Sequence, residues 1–330
     1  MASSKHPLRT AGITDYIVCA MPLAVVLLAM ASYRFVPNFR EFTLLDQSTP
    51  TDTYLWFLGF FALLFFVWSL VAIFSQGAYR RLRYSAPLYA LAFSLLLVYD
   101  WASLKAGILP QPFFPWPDAI LNAALADRSM LWTSTYHSLA LLFSGYFIGA
   151  TLGMVSGVAA GQSQKARYWI QPLVKTLASI PAITWLPLIL IVATSLFGGS
   201  VFLIALSVWV PVTMTTMNGV LNVPTALFET ARIFGTSRLR TIFKVTIPAA
   251  APFIFQGLTQ GMAMASTALL VAEMMGVDAG LGWYITWQRG WAEFANMYAA
   301  IIVICLIFLA VNTLLNQARS RVLSWKEGEL

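Results

Sequence analysis

A chain of 330 residues that is 59% hydrophobic and only 10% charged cannot be a soluble globular domain. Its mean hydropathy of +0.75 and net charge of +7 describe an integral membrane protein whose basic residues are topology signals. No basic patch is interleaved with exposed aromatics, which argues against nucleic acid. Cys19 and Cys305 lie far apart in apolar runs and His6 and His137 are isolated, which argues against a disulfide framework, a metal site or a catalytic histidine cluster.

The N-terminus, with Lys5 and Arg9 ahead of an apolar run, resembles a signal peptide only superficially. The run is long enough to span and lacks a small-x-small cleavage site, so it reads as a retained first span. Spans are predicted at about 15–34, 55–75, 86–104, 136–160, 173–194, 200–221, 250–273 and 297–316, each near the ~20 residues that cross the hydrocarbon. With both termini cytoplasmic, Lys5, Arg9, Arg80, Arg81, Arg83, Lys165, Arg167, Lys175, Arg232, Arg238, Arg240, Lys244, Arg319, Arg321 and Lys326 fall inside. Arg34, Arg40, Lys105, Arg128 and Arg289 fall outside, and this bias of fifteen to five fixes the orientation.

Residues 1–85, with the first two spans, read as an N-terminal extension. They are joined by a loop from Phe35 to Tyr54 and end in the Arg80-Arg81-Leu82-Arg83 stop signal. Phe57, Phe60, Phe61, Phe65, Phe66 and Trp68 give them a bulky, lipid-compatible surface. Residues 86–330 read as a second region. Gly107 to Pro117 is too proline-rich for a helix and predicts an extended external segment entering a helix near Asp118.

The next span carries Gly145, Gly149, Gly153, Gly157 and Gly161, a strip on which another helix backbone can lie closely; Gly257 and Gly261 repeat the device. Pro181 and Pro187 predict a kinked span, with Trp185 between them, beside a central pathway or merely bent at the periphery. Trp209-Val210-Pro211 predicts another bend. Glu273, an acidic residue within a span near its outer end, either faces the pathway or accepts hydrogen bonds from the turn at Gly276 to Gly282. The external loop with Asp278, Trp283, Trp287, Arg289, Trp291 and Glu293 fits either a receptor contact or an interfacial belt.

The cytoplasmic loop 222–248 has the grammar of helix, break, helix. Pro224 suits a first helical turn, and Leu227, Ala231 and Phe234 form an apolar stripe beside Glu229 and Arg232. Gly235 permits the left-handed corner, Thr236-Ser237 can cap the next helix, and Leu239, Ile242 and Phe243 line one side of it. An ordinary basic loop and a docking element both fit this pattern.

Glu229-Thr230-Ala231, three residues, Gly235 and then Ile247-Pro248 resemble the E-A-A loop of binding-protein-dependent ABC importer permeases. Thr230 replaces the usual middle alanine and the Ile-Pro end is shortened. The run from Ile180 to Leu188 resembles the I-P-x-x-A-W-x-P-L segment of the nitrate, sulfonate, taurine and bicarbonate group, with Thr184 at the alanine position. Val271-Ala-Glu-Met-Met-Gly276 with Gly280-Leu-Gly282 resembles that group's A-E-M-x-G…G-L-G segment. The group's arginine after Ser138-Leu139 is replaced by Ala140-Leu141. The resemblance runs from Ala86 to Trp325.

It implies an all-α integral membrane protein: a type I ABC importer-like six-helix core preceded by two additional N-terminal transmembrane helices, multi-pass in the bacterial inner membrane. It further implies that Leu227, Glu229, Ala231, Arg232, Phe234 and Gly235 couple to a cytoplasmic ABC ATPase dimer. A second permease copy, in a homodimer, and a periplasmic or lipid-anchored solute-binding protein complete the assembly. The chain has no G-x-x-x-x-G-K-[ST] loop, so ATP and Mg would bind the partner ATPase and this subunit would have no catalytic residue. The solute implied is small and anionic: sulfonate or taurine, nitrate or bicarbonate-like. A secondary transporter or channel is the competing class, but apart from Glu273 the spans lack the charged mid-membrane sites it needs.

Overall fold

The computed structural model describes residues 13–39 and 52–324, and all regular structure among them is helical. Lys5, Arg9, Arg40 and Lys326, which entered the charge count, lie outside the described residues, as does most of the loop expected between the first two spans. The chain divides into two compact units, one running to Arg128 with 288–299 added, the other comprising 129–287 and the chain from Ala300.

In the first unit α1 (Ile13–Phe35), α2 (Thr53–Phe74) and α3 (Gln76–Asp100) pack together, and α3 continues through a π-helical turn at Trp101–Lys105. α2 is apolar on every side, as a helix bathed in lipid and neighbouring helices must be. Only Ser75 separates α2 from α3. Its extended backbone turns the chain, and its hydroxyl accepts from the Ala78 N–H at 3.4 Å. The loop expected there is therefore helix, and Arg80, Arg81 and Arg83 occupy the opening turns of α3.

Val26, Tyr54, Leu58, Phe65 and Phe93 form the core of this unit. Lys105 is buried, and its ammonium donates to the Tyr33 and Val36 carbonyls and to Asn38 Oδ1 at 3.1, 2.7 and 2.7 Å. A cation there satisfies the last carbonyls of α1. Non-helical chain then leads to α4 (Pro117–Ala126), close to the predicted entry at Asp118. Asp118 is buried and accepts from the Tyr54 N–H at 2.8 Å, so α4 caps the start of α2.

The second unit is built on α5 (Arg128–Gln162), α8 (Leu196–Leu221) and α11 (Ile247–Gly276), joined by α13 (Phe294–Val322). Its core runs through Leu142 and Tyr146 of α5, Ile204, Val208 and Val212 of α8, and Met262, Ala265 and Leu269 of α11. The glycine strip of α5 lies on α8. A β-carbon on Gly145 would meet Ile204 at 2.6 Å, one on Gly153 Val212 at 2.7 Å, one on Gly157 Thr216 at 2.6 Å, and one on Gly161 Val220 at 2.5 Å. Any side chain at these positions forces the two helices apart. Gly257 and Gly261 of α11 pack on the same stretch of α8, against Thr215, Val212 and Val208.

The register of that strip decides the path of the intervening chain. Residue numbers rise together along α5 and α8, so the two helices run parallel, and the chain between them must return across the membrane. The return is made by α6 (Gln164–Ala178) and, after a 92° bend, by Ala182–Trp185 and α7 (Leu186–Val192). The single kinked span expected at about 173–194 is thus a broken one. The break falls at Ser179–Pro181, where Pro181 has extended backbone. Pro187 kinks nothing, because it stands in the first turn of α7, where its missing N–H is harmless. α8 continues without interruption through Pro211, where the sequence predicts a bend. Among the described residues seven helices are long and apolar enough to cross alone, and the broken pair makes eight.

Candidate functional site

The interval from Asn222 to Thr246 forms the helical hairpin its sequence predicts, with different joints. α8 ends at Leu221, and Pro224 stands one residue before α9 (Thr225–Ile233) rather than inside its first turn. Its carbonyl accepts from the Leu227 N–H at 3.1 Å. Gly235 turns the corner at φ +63, a left-handed backbone that a side chain resists.

Thr236 does not cap the following helix. Its N–H and its hydroxyl both reach back to the Ala231 carbonyl, at 3.1 and 2.7 Å, and so close the C-terminal end of α9. The second limb, α10 (Arg238–Thr241), is not a free helix ending before Pro248. It passes through the π-helical turn Ile242–Thr246 straight into α11, with Pro248 in the first turn of that span. Hairpin and span are one mechanical piece. At the foot of the hairpin Thr246 is fully buried, and Gln162 at the end of α5 donates to its hydroxyl at 3.0 Å.

The predicted stripe of Leu227, Ala231 and Phe234 splits. Ala231 is buried, alongside Val223, which clusters with Val220 and Ala250. Phe234 is 78% exposed and Leu227 43% exposed. Phe234 already sits past the last helical residue, so helical periodicity no longer dictates its direction. Glu229 and Arg232 are both exposed beside it. Ile233, Leu239 and Phe243 also stand in the open, at 84%, 70% and 68%. Ile233 escaped the sequence reading because it lies off the stripe, and its one signal is an apolar residue beside a corner. Four basic residues (Arg232, Arg238, Arg240, Lys244) and one acidic residue (Glu229) surround this apolar surface.

At the opposite end of α11, Glu273 is 1% exposed. Ser138 of α5 donates to its Oε1 at 2.6 Å, and the Gly282 N–H donates to its Oε2 at 2.8 Å. The Ser138 hydroxyl in turn accepts from the Leu281 N–H at 2.8 Å. Leu281 and Gly282 begin α12 (Leu281–Gly290), so their N–H groups lack intrahelical partners, and a carboxylate with a hydroxyl supplies them. Gly280, at φ +123, packs directly on the carboxylate. Of the two roles open to Glu273, the geometry is that of the turn acceptor. Ser138 stands out in the sequence only through the Ser-Leu pair of the resemblance, which gives no hint of a carboxylate partner. The expected external loop is largely this helix, with Trp283 stacked on Trp287 at 5.5 Å.

The remaining residues singled out in the sequence lie elsewhere in the second unit. Trp185 lines an apolar cavity of about 760 Å³ with Leu177, Ile189, Gly199, Phe202 and Leu206, while Pro181 and Pro187 are exposed beside it. Among the described residues no three His, Cys, Asp or Glu side chains converge as a metal site would require.

Comparison with known proteins places these features. Residues 149–322 match the family described as "Binding-protein-dependent transport system inner membrane component". A protein of Bacillus subtilis, provisionally named an aliphatic sulfonates transport permease, is 30% identical over 232 residues, which are 68% of this chain and 80% of that one. The nitrate import permease protein of Leptolyngbya laminosa is 28% identical over 205 residues, 62% of this chain and 73% of that one. The bicarbonate transport system permease protein of Synechococcus elongatus is 27% identical over 201 residues, 60% and 70% of the two chains. Among solved structures, a chain of an inward-facing methionine ABC transporter superposes with a TM-score of 0.51 at 19% identity, over 60% of this chain and 98% of that one. At that identity the likeness concerns the fold.

Proposed function

The chain belongs to the family of binding-protein-dependent transport system inner membrane components, and we propose that its α9–α10 hairpin is the seat of the ATPase that drives it. It is the permease subunit of an ABC importer, a transport component rather than an enzyme, lying as a multi-span helical protein in the bacterial inner membrane. Importers of this family work with an ATPase and a solute-binding protein.

The observation that carries the proposal is the exposure of Phe234, Ile233, Leu239 and Phe243 on a hairpin with a basic rim at the cytoplasmic end of α11. Large apolar side chains displayed around a rigid corner suit burial in a groove of a partner. Leu227 would add to the anchor, Glu229 and Arg232 would fix its orientation, and Ala231 and Gly235 would keep the corner in place. Because α10 runs into α11, a displaced hairpin carries the span with it, and α11 is packed through Gly257 and Gly261 on α8. ATP and Mg bind the partner ATPase dimer in this reading, and a second copy of the permease completes the pathway. Residues 86–330 form the transport part and the first two spans an appendage to it.

The cargo we infer is a small oxyanion, a sulfonate such as taurine, nitrate or bicarbonate, because relatives at 27–30% identity are named for aliphatic sulfonates, nitrate and bicarbonate. Membrane vesicles containing this chain, its co-expressed ATPase and the solute-binding protein test both halves. Uptake of the oxyanion that the binding protein holds should stop on ATP depletion and persist when ion gradients are collapsed. Uptake that follows an ion gradient and ignores ATP overturns the reading.

A further inference from the structure

The outward faces of the long helices in the second unit are not alike. α5 presents Phe147, Ile148, Leu152 and Val155, and α13 presents Ile301, Ile302, Leu306 and Leu309, which are surfaces for lipid tails. Beyond its first turn α11 exposes Gln256, Gln260, Ala263, Met264, Thr267, Met274 and Met275, spaced so that all lie on one side, with the two carboxamides in its inner half and methionines toward its outer end. The depth of this arc is fixed by Gly261, next to Gln260, which packs against Val208 and Val212 in the middle of α8. Neither glutamine amide has a hydrogen-bond partner among the described residues. A carboxamide turned into hydrocarbon with its donors and acceptor unmet is costly, and irregularly satisfied polar groups at that depth face protein or water.

We propose that Gln256, Gln260 and Thr267 form the wall of the water-filled solute pathway and that the two carboxamides read the passing oxyanion through their N–H donors. This rests on the importer reading above. The chemistry of the wall fits transit rather than capture. Neither Leu196–Leu221 nor Ile247–Gly276 contains a lysine or arginine, so nothing along it holds an anion by a full charge. Neutral amides can exchange hydrogen bonds with several oxygens of a solute and then with water. The cavity beside Trp185 is lined mainly by apolar side chains, with Thr194 and Ser195 its polar ones, and it holds no carboxamide.

Single cysteines at 256, 260 and 267, in a chain with Cys19→Ala and Cys305→Ala, test the wall in vesicles containing the full transporter. The reagent is a charged, water-soluble methanethiosulfonate, with Leu152→Cys and Leu306→Cys as lipid-facing references. Labelling at 256, 260 and 267 should exceed that at 152 and 306 by about tenfold, because only a thiolate in water reacts quickly. Equal labelling at all five positions overturns the proposal. So does disulfide formation between two copies at 260 without labelling, which would make the face a packed dimer contact. Labelling needs no transport, so a failure of the importer reading leaves it readable. For the reading of the solute, Gln260→Leu should raise the solute concentration for half-maximal uptake about tenfold, the worth of one hydrogen bond to a charged group, with Gln260→Asn recovering most of it. An unchanged value in Gln260→Leu refutes that role.

Discussion

The two ends of α11 are finished in opposite ways. At the outer end everything polar is answered within the chain: the Glu273 carboxylate takes the Gly282 N–H and the Ser138 hydroxyl, and Ser138 takes the Leu281 N–H. At the inner end the helix runs through a π-helical turn into a corner whose large apolar side chains point away from the body. One end is fastened to its own subunit and the other is left unfinished for something else to complete. A lever needs that asymmetry, because force applied at the free end moves the span only if the far end is held.

The contrast breaks most severely if the fastening is removed. Glu273→Ala leaves the Gly282 N–H and the Ser138 hydroxyl without their acceptor in a fully buried setting, which costs about 3 kcal/mol. The melting midpoint of the detergent-purified protein should fall by ~5 °C or more. Glu273→Gln, which keeps one acceptor oxygen, should fall between the two. A melting curve of Glu273→Ala that superposes on the parent would show that the outer end is not held this way.

Next in size is the corner. A β-carbon on Gly235 would meet nothing within 4 Å, so Gly235→Val acts only through its left-handed backbone. Forcing a branched residue to that φ costs on the order of 1–2 kcal/mol, enough to redirect the hairpin without unfolding the spans. The protein should reach the membrane in normal amount while ATP-driven uptake falls at least ~tenfold. Normal uptake would separate the corner from coupling.

These two sites were legible in the sequence to different degrees, for physical reasons. The glycine strip, the hairpin and its corner are local patterns: spacing of four places Gly145 to Gly161 on one face, and a glycine between two short amphipathic runs predicts a turn. Its basic residues and the charge bias placed it in the cytoplasm. Glu273 was half legible: the glycine turn at Gly276 to Gly282, close in sequence, marked it as an acceptor, whereas Ser138 comes from a distant helix and no spacing predicts it. The broken span was half legible. Pro181 marked the break, but whether the chain kinked or turned by 92° depended on α5 and α8 lying parallel, a tertiary fact. The spacing puts Phe234 on one apolar stripe with Ala231, but it does not register that the helix ends at Ile233, and the two side chains part there.

Phe234 then sharpens the comparison at modest cost. Its side chain is 78% exposed, so Phe234→Ala should change the melting midpoint by no more than ~1 °C, in line with surface substitutions generally. Recovery of the ATPase on the purified permease should nonetheless fall about tenfold, as truncating a central aromatic anchor does. Equal losses of stability and of ATPase recovery would mean that the hairpin supports its own subunit instead.

The smallest effect belongs to Leu227, and its size relative to Phe234 is the sharper test. Leu227 lies on the same limb but is 43% exposed, so its own chain already covers over half of it. A partner seated on the hairpin can bury only what remains. Leu227→Ala should therefore weaken ATPase recovery by no more than about threefold, while lowering the melting midpoint slightly more than Phe234→Ala does. The two substitutions thus trade stability against association in opposite proportions, set by how much of each side chain is already covered. If Leu227→Ala reduces ATPase recovery more than Phe234→Ala, the groove closes over the body-facing side of α9. The open corner of Phe234, Ile233 and the second limb would then not be the face that is buried.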